Sequence, residues 1–533
     1  MVRVHDIHLP LDHTPDAIAA AVAQVLGLRP SAVQHCEVRR QAIDARKKHA
    51  IRLTYSVDVT VADERQILAS ASAPKVIPTP DETYKPVTPG SRRLRHRPVV
   101  VGTGPAGLFA ALILAQAGYR PMVLERGKPV PQRCRDVEGF WNGGGLDPES
   151  NAQFGEGGAG TFSDGKLTTL INDTRCRKVL QEFVAAGADP SILFAAKPHV
   201  GTDRLRGIVV NLRRQLESLG AAVLFGQRVT GLALDNGALT GLRLHHGEAL
   251  PAQVCVLAIG HSARDTVAML HASGLQLAPK PFSVGVRIEH PQALIDASQY
   301  GRFAGHPRLG PADYKLAFHA PNGRSAYTFC MCPGGEVIAA ASEPGGVVTN
   351  GMSLSARGAA NANAAVLVGV TPLDCPGESP LSGFEFQRHW EALAFALGGG
   401  GYAAPVQLVG DLLRGVPSAA LGRVSASYRP GVLPADLRRC LPPYVIDTIC
   451  LALPAFGRRV AGFDLPDAVL TGVETRSSSP VRMTRSAQCE ASIGGIYPAG
   501  EGAGYAGGIT SAAADGIRVA EAIIGQYAPP GGD

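Results

Sequence analysis

The 533-residue chain lacks most of the features that fix a protein's class at first sight. Its opening, "MVRVHDIHLPLDH", has neither a basic start nor an apolar core, so no secretory leader is expected. No apolar run reaches membrane-spanning length, so no span is expected either. The ten cysteines form no regular CxxC pairs and no His/Cys spacing suits zinc. Free thiols in a reducing cytoplasm, with no metal, are therefore the expectation. Formal charge is 51 − 45 = +6, too mild at this length to favour nucleic acid as a partner. There is no Ser-His-Asp order of a hydrolase, no internal repeat and no coiled coil. What is there is 45% hydrophobic and 18% charged, an ordinary globular composition with room for two to four domains.

One stretch is specific. "VVVGTGPAGLFAALILAQAGYRPMVLERG" (99–127) runs from an apolar strand through Gly102-Thr-Gly104-Pro105-Ala106-Gly107 into a helix, then into a second strand ending at Glu125-Arg126. Gly102 permits the tight turn, Gly104 lets backbone approach a pyrophosphate, and Gly107 lets helix pack on sheet. The helix N-terminus offers unpaired N–H groups and partial positive charge to phosphates. Glu125, 23 residues after Gly102, suits ribose hydroxyls and would repel a 2′-phosphate. No second strand–GxGxxG–helix unit stands out, so a dedicated NAD(P)H domain is not expected. NAD(P)H remains a transient electron donor or acceptor, and a small electron carrier is the alternative.

The tail, "GGIYPAGEGAGYAGGITSAAADGIRVAEAI" (494–523), supplies another loop-to-helix passage. It resembles the segment that completes the FAD site in two-domain flavoproteins. The resemblance implies that Glu501, after Gly500, meets the ribityl chain or a phosphate. It also implies that the helix from Gly508-Ile509 faces the flavin, where its dipole would stabilise negative charge. A late strand ending at Gly260 ("VCVLAIGHSARDT") belongs to the same site, and Val229 matches a valine that meets adenine through its backbone.

"NAQFGEGGAGTFSDGKLTT" (151–169) resembles the signature of a bacterial group of uncharacterised FAD-dependent dehydrogenases, or NAD(P)/FAD-dependent oxidoreductases. The likeness continues through "FSVGVRIEHPQ", "YTFCMCPGGEVIAA", "GVETRSSSPVRMTR" and the tail, over roughly residues 90–525, and "DARKK" fits it before that. It implies bound FAD and an oxidoreductase fold, and names no substrate. In the 155–165 loop, Gly158, Gly160, Thr161 and Ser163 are expected to turn backbone and polar groups toward the cofactor.

Six residues are candidates for chemistry. Cys330 and Cys332 would share one face of a strand in a hairpin turning at 333–335, as a redox pair, a metal half-site, a sulfur carrier or plain packing. Lys166 suits an anionic reduced flavin or the surface. His261 could be an acid or base, a cofactor contact, or exposed. Arg476 and Arg482 could grip a carboxylate or phosphate, or belong to an inter-domain ion-pair network.

The expected architecture is α/β. A small α+β unit (1–70) precedes a Pro-rich linker (71–97). In that unit Thr14–Pro15 signals a helix whose apolar face carries Ile18, Val22, Val25 and Leu26, and a strand alternates from Ile51 to Val61. Further on, "AAVLFGQRV" reads as a single strand. A discontinuous Rossmann-type FAD-binding domain (98–275 and 476–533) carries an inserted mixed α+β substrate domain (276–475). Hydride transfer between a small organic substrate and flavin N5 is the expected activity. The rival is an FAD-binding scaffold or redox sensor whose N-terminal unit docks a protein or RNA.

Overall fold

In the computed structural model, which describes residues 1–70 and 75–531, the strand Val99–Val101 is buried on both faces. Such a strand needs neighbours on both sides and cover above and below. It has them at the centre of a five-stranded parallel sheet. The order is Ile496–Pro498, Cys255–Leu257, Val99–Val101, Met122–Leu124, Ala222–Leu224. The helix Pro105–Gln116 buries Ala106 through Ala115, having no polar face to offer solvent. The helix Ile509–Gln526 lies along it so closely that a Cβ on Gly516 would overlap the Ala106 carbonyl. Residues 99–124, 222–257 and 496–526 thus meet in one sheet and its covering helices, consistent with the mixed α/β, Rossmann-type reading.

The inserted region is a seven-stranded sheet, in the order Ala317–His319, Ser325–Cys332, Asn361–Val370, Phe282–Pro291, Val469–Glu474, Ala404–Leu408, Val432–Pro434. Only its last pair is parallel. Helices Ser382–Leu397 and Pro443–Gly457 carry buried apolar faces against it.

The N-terminal unit folds as its alternating pattern implies. The strand Arg52–Thr60 points Leu53, Tyr55, Val57 and Val59 inward. The helix is Ala17–Leu26, beginning two residues later than the Thr14–Pro15 signal indicates; Gly27 closes it at φ +67°. Val25, expected on its apolar face, is 45% exposed.

Four expectations need correction. The 71–97 segment is extended, but in its described part it is strapped down. Val76–Pro78 forms the edge strand of the N-terminal sheet, and Arg92–Arg93 pairs with Tyr527–Ala528. Residues 71–74 of that segment and 532–533 of the tail lie outside the described residues. The single strand read in "AAVLFGQRV" ends at Leu224, where Gly226 turns the chain at φ +68°. Finally, Ser325–Cys332 and Glu336–Ala339 are not a hairpin. The first pairs with Asn361–Val370 and the second with Thr349–Met352, in different sheets. A turn signal fixes a change of direction, not the partner. The shared face expected for Cys330 and Cys332 is lost with it, because a bulge after Phe329 puts Cys330 at φ +42°. No helix among the described residues is long and apolar enough to cross a membrane.

Candidate functional site

A cavity of about 480 Å³ opens at the carboxyl ends of the parallel strands, between the two sheets. Open α/β sheets place ligands there. All the expected cofactor residues line it except Gly107, Thr161 and Gly500. Gly107 works behind the wall: a Cβ there would overlap the Gly102 carbonyl, so the helix could not start so near the strand. Gly104 differs. Its backbone is ordinary (φ −66°), and the nearest atom to an added Cβ is the Gly158 Cα at 3.9 Å. Protein packing does not require glycine there, and Gly104 lines the cavity. No side chain caps the helix beginning at Pro105, which leaves its first N–H groups directed at the same space.

Glu125 lines the cavity, yet its carboxylate is engaged by protein donors. Thr103 donates its N–H at 2.9 Å and its hydroxyl at 2.6 Å, and Gly127 and Gly155 donate N–H at 2.9 and 3.0 Å. It ties the glycine turn to the 151–165 loop. Arg133, fully buried, holds that loop from behind through the carbonyls of Asn151 (2.9 Å) and Glu156 (2.7 Å). Gly158, Gly160 and Ser163 face the cavity. Thr161 turns away, its hydroxyl donating to the Glu156 carbonyl at 3.0 Å. Arg126 reaches the cavity while paired with Glu149 and Asp265, both at 2.9 Å, and lying 4.0 Å from the Phe154 ring centre.

The opposite wall comes from Gly260, His261 and the tail. Gly500 donates its N–H to Asp515 at 2.8 Å, which anchors the turn that presents Glu501. Burial pushes the Glu501 carboxyl up to about 7, against the pull of Lys280. His261 Nδ1 stands 3.8 Å from Glu501 Oε1. Burial, then Arg476 and Arg264, bring His261 down to about 3, so the ring stays neutral. Gly508, at φ +100°, turns the chain into the helix beginning at Ile509.

Arg476 lines the cavity but spends its guanidinium elsewhere. It grips Glu391 through Nε (3.0 Å) and Nη2 (2.8 Å), while Arg264 holds the same carboxylate at 2.7 and 2.9 Å. All three are buried. This is the inter-domain network, not an anion grip. Arg482 is exposed and outside the cavity, donating to the Gly504 carbonyl at 3.3 Å, so the expected Arg476–Arg482 pincer does not form.

The third wall holds Lys166 and Cys330, with Cys332 buried behind. Lys166 Nζ donates to the Met331 carbonyl and lies 3.1 Å from Asp164. Reading the sequence missed Arg287 and Glu474 as a functional pair. Arg287 Nε donates to Glu474 at 2.6 Å, and Nη1 to the Cys330 carbonyl at 3.1 Å and to Asn363 at 2.7 Å. A signal existed: Arg287 and Glu289 interrupt an otherwise apolar run, and a charge in a strand buried on both faces needs a partner.

Residues 281–477 match the family described as "FAD-dependent protein, C-terminal domain-like", and residues 1–60 match a domain of unknown function. A protein of Clostridium beijerinckii, described as uncharacterized, is 46% identical over 531 residues, 99% of either chain. Among solved structures, the Tyr258Phe mutant of NikD, an amino acid oxidase of nikkomycin biosynthesis, is 14% identical over 80% of this chain and 93% of its own, at TM-score 0.37. L-proline dehydrogenase from P. horikoshii is 11% identical over 81% and 93%, at 0.34. The glycerol-3-phosphate dehydrogenase of Bacillus halodurans complexed with FAD is 11% identical over 80% and 63%, at 0.35.

Proposed function

Since the chain belongs to the family of the Clostridium beijerinckii protein and carries the FAD-dependent C-terminal region, we propose that it is an FAD-dependent oxidoreductase acting on a small organic substrate. The observation that carries this reading is Gly104, whose vacant side faces the cavity at an uncapped helix N-terminus. FAD, when bound, supplies two-electron exchange at its N5.

The chain's own residues do the rest. The Gly102–Gly107 turn and the helix behind it hold the pyrophosphate. Glu125 keeps the two loops in register, and its charge disfavours a 2′-phosphate beside it. The Val229 backbone meets the adenine end. The helix from Ile509 and the Lys166 ammonium stabilise negative charge at the ring end. Glu501 holds a proton near neutral pH with neutral His261 3.8 Å away, which provides a proton store at the cavity wall. Phe329, Leu170 and Lys315 line the cavity toward solvent and form the substrate's way in. A nicotinamide or small carrier exchanges electrons by that same route, because no second dinucleotide unit stands out in the sequence.

Gly104→Val tests the reading. A Cβ there meets the Gly158 Cα only at 3.9 Å, so the flavin-free variant is expected to fold with a melting temperature within a few degrees of wild type. FAD affinity, measured by calorimetry, falls at least about tenfold, or about 1.4 kcal/mol. Colourless, folded wild-type protein that takes up no FAD overturns the proposal, as does a variant that binds it unchanged.

A further inference from the structure

The bulge in Ser325–Cys332 has a chemical result that packing does not explain. Cys330 occupies left-handed backbone, which a non-glycine residue rarely adopts. Regular strand geometry would give Cys330 a relaxed backbone. The bulge instead brings it to the cavity wall, with Cys332, two residues on, fully buried behind it. Two sulfurs at this spacing, one open to the cofactor cavity and one closed off, form an asymmetric pair.

Their surroundings treat them differently. The Lys166 ammonium and the Arg287 guanidinium both act on Cys330; Asp164 faces it as an anion, Glu474 is held by Arg287, and Glu501 keeps its proton up to about pH 7. The hydrogen bond from the Cys332 thiol, working against burial and helped by Lys166 and Arg287, brings Cys330 down to about 5. The same hydrogen bond, with burial, raises Cys332 well above an ordinary thiol. The remaining described cysteines whose pKa is shifted are all pushed up by burial. Nucleophilic thiolate character therefore concentrates at the one cysteine that lines the cavity.

We propose that Cys330 and Cys332 are a dithiol–disulfide couple that exchanges an electron pair with the flavin, and that the substrate class is a small disulfide or dithiol. This rests on the FAD reading above. The step balances. An S–S bond forms between the two sulfurs and the S–H bond of Cys332 breaks. The electron pair and that proton pass to the flavin, so one thiolate, one thiol and one oxidised flavin become one disulfide and one singly charged reduced flavin. The Lys166 cation then neutralises the charge that has moved from sulfur to ring. In the opposite direction the reduced pair meets a disulfide entering past Phe329. The Cys330 thiolate displaces one substrate sulfur as a thiolate, and Cys332 then closes on Cys330 to release the other. Two-residue spacing strains the closed form, and strained disulfides are the readily reduced ones, as a turnover couple requires.

Two measurements test this, the first without flavin. Stripped protein is alkylated with iodoacetamide from pH 4 to 9 and mapped by peptide mass spectrometry. Cys330 reacts at pH 6 at least about tenfold faster than any other cysteine. Lys166→Met moves the midpoint of its profile up by more than about one pH unit. In the second, anaerobic dithionite titration of diamide-oxidised holoprotein takes about four electrons per flavin in the wild type and about two in Cys332→Ser. Protein that binds FAD normally but takes two electrons, or whose Cys330 alkylates like an ordinary thiol, overturns the couple and leaves the FAD reading standing. Protein that refuses FAD overturns both, while the alkylation map still reports Cys330 by itself.

Discussion

Glu501 carries a prediction that depends on sign. Its folded value is about 7 against an ordinary 4.5, so the native state holds its proton more tightly than the unfolded chain does. Between those values the native state binds more protons, and stability falls as pH rises. Well above pH 7 the loss is complete, because the carboxylate then sits charged in a partly buried place. Glu501→Gln removes the term. Melts of flavin-free protein should show the variant equal to wild type at pH 4 and more stable at pH 8, by about 1–2 kcal/mol once the side chain's residual exposure is discounted. A variant that is less stable at pH 8 contradicts this. Other single residues show how far sequence reasoning reaches. Gly102, Gly104 and Gly107 were legible because their spacing encodes a backbone shape. The full set of donors on Glu125 was not, because Gly155 comes to it from thirty residues away. Arg482 was misjudged because six residues of separation say nothing about which of two arginines faces inward.

Among elements, the junction that matters most joins three of them through one carboxylate. Glu391, on helix Ser382–Leu397, is held by Arg264 of helix Arg264–Ala272 and by Arg476, just beyond strand Val469–Glu474. Removing one member of a buried ion network leaves the others charged and dry. Glu391→Ala should cost about 3–5 kcal/mol in chemical denaturation and loosen the wall that carries His261 and Arg476. Glu391→Gln, which keeps two acceptor sites on its carbonyl oxygen, should cost less. A loss under about 1 kcal/mol in the Ala variant would show that the three elements do not depend on this carboxylate. Nothing in the sequence announces the junction, since its members lie at 264, 391 and 476. The same distance effect hid the partners of Ser325–Cys332. Local pattern gave two strands and a turn correctly, while the choice of neighbour came from residues 349–370.

For the molecule as a whole, the N-terminal unit is not a tethered adaptor. Gln41 exchanges backbone hydrogen bonds with Phe194 and Ala196 at 2.7 and 2.8 Å, and Glu82 is held by Arg3 and Arg39 at 2.6 and 2.8 Å. Gly90 lies so close to the Gln526 backbone that a side chain has no room there. Limited trypsin digestion should therefore cut between residues 80 and 97 far more slowly than in urea-unfolded protein. Rapid release of a stable N-terminal fragment by cleavage there would restore the linker reading. The strand and helix of the N-terminal unit were legible from composition and pattern. The docking was not, because backbone pairing of sheet edges leaves little trace in side-chain pattern.

The order of strands in the parallel sheet also sets a timetable. Its central strand is made near residue 100, one neighbour near 256 and the outermost near 497, and the helix that closes the cavity ends at Gln526. During synthesis the first glycine turn must wait, without its roof, until the chain has been made through residue 526. Coenzyme capture thus waits for that helix, and a chain cut short before residue 509 is expected to take up no FAD however much is supplied.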